Sequence, residues 1–73
     1  MPPRTPDLPS ARVEADLRRR IEGGEWDHDE AMPAVAALAA EYGVSRTSVS
    51  RALRTLAGEG LVRIVPRWGT FRA

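Results

Sequence analysis

The chain has no cysteine, lysine, asparagine or glutamine, a single histidine, and only four aromatic residues among 73. Without cysteine there is neither a disulfide framework nor a thiolate metal site, a composition that suits a reducing compartment. One histidine, His28, would leave a metal site to carboxylates almost alone. No apolar run approaches the roughly 18–20 residues of a membrane span. The first residues, Met1-Pro2-Pro3-Arg4-Thr5-Pro6, contain no apolar signal-peptide core. A cytoplasmic protein without membrane partners is therefore expected. At this length it is one small domain, close to the lower limit for a core that folds without staples.

What is present is arginine, unevenly placed. From Met1 to Val44 five arginines face nine acids, giving −4. From Ser45 to Ala73 six arginines (46, 51, 54, 63, 67 and 72) face Glu59 alone, giving +5. The C-terminal half is thus suited to a polyanion.

The elements can be read in order. Residues 1–9 hold four prolines and few apolar side chains and are expected to form a disordered arm. Ser10 is the expected N-cap of a first helix to about Glu22, with Val13, Leu17 and Ile21 on one face and Gly23-Gly24 ending it. Trp26 is expected to pack beneath it. Asp27-His28-Asp29-Glu30 reads as a solvated acidic loop, because adjacent residues rarely converge on one ion and no second ligand cluster exists. A second helix is expected from Pro33 through Leu38 to Tyr42, its alanines allowing close approach of a neighbour. Gly43 suits the left-handed position that ends it. Ser45 can then cap a third helix by accepting from the N–H of Thr47 or Ser48.

That third helix, to about Glu59, carries Val49, Ala52, Leu53 and Leu56 at i, i+3, i+4 and i+7. Helix, three-residue turn, helix is a helix-turn-helix. Leu61–Val65 reads as a strand, Pro66–Gly69 as a turn and Thr70–Arg72 as a returning strand. The predicted fold is mainly α with a small β-hairpin: a winged helix-turn-helix spanning residues 10–73, of three helices and a two-stranded wing. The expected core is Val13, Leu17, Ile21, Trp26, Leu38, Val44, Val49, Leu53, Leu56, Leu61, Val62, Ile64 and Phe71.

With its apolar stripe inward, the third helix turns Thr47, Ser50, Arg51, Arg54 and Gly58 outward, flanked by Arg46 and Ser48. Short hydroxyls can lie deep in a groove without bulk, and arginines can reach guanine edges or phosphate. The helix N-terminus adds affinity for phosphate. An ordinary solvated helix face mixes in glutamate, and none stands between Ser45 and Gly58.

The stretch "LAAEYGVSRTSVSRALRTLAGEGLVRIVPRWGTFRA" resembles the DNA-binding domain of the GntR family of bacterial transcription regulators. The likeness covers about Val13 to Ala73. Its most specific pieces are Gly43-Val44-Ser45-Arg46-Thr47, Ala52-Leu53-x-x-Leu56, Glu59-Gly60-Leu61-Val62 and Gly69-Thr70-Phe71, with Met32-Pro33-Ala34 at the entry to the second helix. The resemblance implies DNA contact by Arg46, Thr47 and Ser48 and, at the wing, by Arg67, Trp68 and Gly69. Together with the outward face, the candidate DNA-binding set is Ser45, Arg46, Thr47, Ser48, Ser50, Arg51, Arg54, Arg67, Trp68 and Gly69. Ala36 and Ser50 stand where the family often has Arg, so operator preference should differ. The wing tip, commonly Gly-x-Gly, is here Arg67-Trp68-Gly69. Trp68 either inserts or stacks against DNA sugar, or packs on the wing base.

The resemblance implies double-stranded DNA as partner, a dyad-symmetric operator, and transcriptional regulation with repression as the expected sign. The family's usual effector-binding domain is absent from this chain, which is either an excised N-terminal domain, the favoured reading, or a natural one-domain protein. A monomer when free, pairing on DNA, is expected. No cofactor is implied, and no nucleophile–base pair supports an enzyme. The competing readings are a winged helix that docks proteins, whose third-helix face would be apolar or mixed in charge, and RNA binding, which lacks stacking aromatics apart from Trp68.

Overall fold

Proline at the first turn of a helix costs nothing, since its missing N–H would be unpaired there in any case. In the computed structural model, which describes residues 8–73, α1 spans Pro9–Glu22 and begins in this way. Leu8 is the N-cap, held extended (φ −57°, ψ 135°) as a residue before proline must be. This corrects the expected start. Ser10 lies inside the first turn and caps nothing, and Pro9 belongs to the helix, not to an arm. The rest of the expected arm, residues 1–7, lies outside the described residues.

Val13, Leu17 and Ile21 form the buried stripe of α1. Trp26, also buried, receives the Arg20 guanidinium 5.0 Å from its ring centroid. The acidic stretch that follows is exposed in its side chains, but its backbone is not free. Asp29 N–H donates to the Arg72 carbonyl (2.7 Å), Arg72 N–H to Glu30 (2.9 Å), and Met32 N–H to Thr70 (2.8 Å). Ala31 thereby bridges Phe71 as a short third edge of the wing, so the acidic side chains are solvated as expected while the backbone of the segment is tied to the hairpin.

Those bonds keep the chain extended past Met32, so α2 starts later than expected, at Val35, and runs Val35–Tyr42 with Ala34 as N-cap. Pro33 is outside it. Gly43 is left-handed (φ 68°, ψ 36°). The N–H of Gly43 reaches the Ala40 carbonyl and that of Val44 the Ala39 carbonyl, the Schellman pattern that turns Val44 toward the core. Ser45 then caps α3, Arg46–Gly58, its Oγ accepting from Ser48 N–H at 3.1 Å.

Strands β1, Val62–Val65, and β2, Gly69–Arg72, pair antiparallel with Ile64 opposite Thr70 and Arg63 opposite Phe71. Val49, Ala52, Leu53 and Leu56 of α3 lie at the centre of the core, against α1, α2 and β1. Met32 joins the core unforeseen, Ala39 is buried as suits a close approach between helices, and Val44 and Leu61 pack against the core half-buried. Two expected core residues are corrected. Ile64 is 44% exposed, and Phe71 is half-buried on the outer sheet face under the Arg63 guanidinium. Among the described residues no helix is long and apolar enough to cross a membrane.

Candidate nucleic-acid interface

The Ser45 cap fixes how α3 begins. It takes the Ser48 N–H, and the two hydroxyl oxygens lie 3.1 Å apart, so both serines hold the first turn. The N–H groups of Arg46 and Thr47 precede any intrahelical acceptor, and their exposed side chains lie beside that electropositive helix end. One turn on, Arg51 and Arg54 are exposed and Ser50 is half-buried. Thr55 Oγ1 turns back to donate to the Arg51 carbonyl at 3.2 Å.

Ser50 and Arg54 share an open cleft of roughly 190 Å³ with Val35, Leu53, Ile64 and Thr70. This cleft lies between α3 and the inner face of the hairpin; of the predicted site residues it brings together Ser50 and Arg54, and the wing residues Arg67, Trp68 and Gly69 do not line it. Ile64 is the residue that sequence reasoning misassigned there. Alternation puts it on the face of Val62, but there it borders the open cleft against α2 and α3 and is left exposed to solvent. The hairpin tip follows. Trp68 N–H donates to the Val65 carbonyl at 3.0 Å, Arg67 is left-handed (φ 72°), and Gly69 has φ 117°. Pro66 and a left-handed residue after it form the central pair of a type II turn. Trp68 is 79% exposed, which excludes packing on the wing base.

Charge is divided as the sequence suggested, but more sharply. Arg18 bridges Glu14 and Glu59, both at 2.7 Å, so the acid of the C-terminal half is tied to α1. Arg19 pairs with Asp16. Arg20 reaches Glu25 (2.6 Å), Glu41 (2.9 Å) and the Tyr42 hydroxyl (2.8 Å). Tyr42 in turn donates to Asp16 at 2.5 Å. These bonds hold the carboxyls of Asp16 and Glu25 below the usual carboxylate range, Asp16 chiefly through Tyr42 and Glu25 through Arg20. Burial pushes the Tyr42 hydroxyl up. By contrast, Arg46, Arg51, Arg54 and Arg67 have no carboxylate partner among the described residues. Arg63 does: its Nη1 lies 2.9 Å from Asp29 Oδ1. No cluster of three metal-ligating side chains occurs among the described residues, and exposed His28 faces Asp29 at 3.4 Å.

The family described as bacterial regulatory proteins, gntR family, matches residues 9–71. An uncharacterized HTH-type transcriptional regulator of Rhizobium meliloti is 48% identical over 55 residues, covering 75% of this chain and 22% of that protein. The histidine utilization repressor of Klebsiella aerogenes is 37% identical over 62 residues, covering 85% of this chain and 26% of that protein. Among solved structures, AraR(DBD) in complex with operator ORE1 superposes with a TM-score of 0.88 at 28% identity, covering 100% of this chain and 93% of that one. The chain spans about a quarter or less of the length of these curated relatives. A capped helix behind a glycine turn, followed by a wing and matched over nearly its whole length, makes this chain a member of the GntR family of bacterial regulatory proteins.

Proposed function

We propose that residues 9–73 form a unit that binds duplex DNA with sequence preference and regulates transcription, with repression as its sign. One observation carries this reading: four exposed arginines of α3 and the wing, Arg46, Arg51, Arg54 and Arg67, have no carboxylate partner among the described residues, while Glu59, the one acid of that half, is tied to Arg18 on α1. A groove-bound helix needs that separation, because a carboxylate at the interface would repel phosphate. In this reading α3 enters the major groove. Arg46, Thr47, Ser48, Ser50, Arg51 and Arg54 reach base edges or phosphate, and Ser45 holds the first turn in place. Arg67, Trp68 and Gly69 meet the adjacent backbone or minor groove. The repressor names of relatives and the operator complexes of AraR(DBD) support the same assignment. Work on a bacterial chromosome is cytoplasmic and calls for no catalysis.

The operator is a dyad, read by two copies that are monomers when free. Large apolar side chains left exposed among the described residues are Leu8, Ile64 and Trp68, on two separate parts of the fold. They are too few for an interface of about 800 Å² per partner. DNA can hold two copies close enough for weak contacts to suffice.

Selection of bound sequences from random duplex DNA tests the reading, with sedimentation of the free protein beside it. Enrichment of an inverted repeat by a protein that sediments as a monomer is expected. No enrichment, together with salt-insensitive capture of another protein, would replace DNA binding with protein docking.

A further inference from the structure

Tryptophan is seldom left in water, yet Trp68 is more exposed than any other large apolar residue described. Its position is also firmly set. Pro66 limits the turn, the Trp68 N–H closes it on the Val65 carbonyl, and Arg67 and Gly69 are both left-handed. Behind the turn, the hairpin is braced from outside by the Ala31 bridge, by Met32 N–H on the Thr70 carbonyl and by the Asp29–Arg63 pair. The result is an indole at the leading end of a stiff stalk, next to an arginine without a carboxylate partner.

Building on the DNA reading above, we infer that Trp68 is a wedge: it enters the minor groove edge-on and partly unstacks one base-pair step, bending the duplex. Arg67 brings the tip to the phosphates, and a planar ring then has two places to go, a sugar face or the gap between base pairs. An indole offers one N–H donor, so it reads little of the minor groove's sparse hydrogen-bond pattern. It reads deformability instead. Pyrimidine–purine steps such as TA unstack most easily, whereas A-tracts are stiff, so the wing selects a flexible step without contacting its base edges. Ile64, exposed on the inner face of the same hairpin, offers apolar surface to a backbone drawn in by the bend.

The test uses the selected duplexes with the step beneath the wing set to TA or to AA. Binding is followed by anisotropy, bending by energy transfer between duplex ends, and Trp68 by acrylamide quenching. Trp68→Ala supplies the Trp26 background, and removing an exposed tip leaves the core intact. Wild type should bend TA duplexes, bind them about threefold or more tighter than AA duplexes, and lose acrylamide access to Trp68. Trp68→Ala should still bind, with the bend reduced and the step preference gone, while Trp68→Phe keeps part of both. Binding without a bend, with Trp68 shielded, would mean stacking on sugar and overturn the wedge alone. An accessible Trp68 with an unchanged bend and preference in Trp68→Ala would overturn it as well. Failure of wild type to bind any duplex would bring down the DNA reading itself.

Discussion

Asp29 and Arg63 tie the acidic segment to the wing, Oδ1 to Nη1 at 2.9 Å, while the Asp29 backbone N–H donates to the carbonyl of Arg72. The pair takes Arg63 out of the free basic charge of the C-terminal half. Arg72 is half-buried and its Nε has no partner, which places it beneath the surface. Of the six C-terminal arginines, Arg46, Arg51, Arg54 and Arg67 stay exposed without an acid beside them.

The count sets the salt dependence. Six arginines each neutralising a phosphate would give a log–log slope of about −5.4, whereas four neutralised phosphates give about −3.6. Titrations followed by anisotropy between about 50 and 200 mM salt distinguish the two. Asp29→Asn then tests the pair. Asn tolerates the left-handed φ of 65° that Asp29 adopts, so the variant removes charge without reshaping the backbone. Its slope should steepen by nearly one. An unchanged slope would place Arg63 out of reach of the duplex.

Arg46 stands at the first position of α3, exposed and clear of the core. Arg46→Ala should weaken specific binding by about 1–3 kcal/mol and leave circular dichroism and the unfolding midpoint unchanged. Loss of helix content would show that its side chain supports the fold.

Acid should loosen this fold before base does. Asp16, Glu25 and Asp29 all have carboxyls held below their usual range, by Tyr42, Arg20 and Arg63 respectively. Their unfolded pKa values lie near 4. The stabilisation from each is present above that value and is lost as pH falls through the lower folded value. Urea midpoints should therefore hold from about pH 5 to 8 and fall below about pH 4. In Asp29→Asn the fall should be smaller, with a lower starting stability at neutral pH. Identical acid profiles for the two proteins would show that the Asp29 pair contributes nothing measurable.

What could be read from sequence was local. The glycine turn at Gly43, the Ser45 cap and the Val49–Leu56 stripe each depend on residues within a few positions, and all three appear as expected. The outward face of α3 follows from the same spacing, so its exposed members were legible too. What failed was competition or distance. Ser10 is a good cap, but Pro9 claims the first turn and moves the cap to Leu8. The Ala31 bridge joins residues forty positions apart by backbone alone, which leaves no periodicity to read. Alternation put Ile64 on the correct face but could not say that an open cleft separates it there from α2 and α3. Nor could a count of arginines reveal that Asp29 occupies Arg63.

Arg67 is where the site and the stability of the wing conflict. It follows Pro66 with φ 72°, a conformation that costs an L-residue about 1–2 kcal/mol and glycine almost nothing. The family's usual tip glycine avoids that strain, and this chain keeps a cation instead. Arg67→Gly should relieve the strain, less the roughly 0.5–1 kcal/mol that glycine loses in backbone entropy. A net gain of about 0.5–1 kcal/mol corresponds to a rise in Tm of roughly 2–8 °C for a domain of this size. DNA binding should move the other way, weakening with a salt slope shallower by about 0.9 as one phosphate contact is lost. Arg67→Asn separates the two effects, since Asn accepts the left-handed region without glycine's entropy cost and still removes the charge. Calorimetry and anisotropy on the three proteins should give opposite signs for stability and affinity. A fall in both for Arg67→Gly would mean that the Arg67 side chain props up the turn and that its backbone stores no strain.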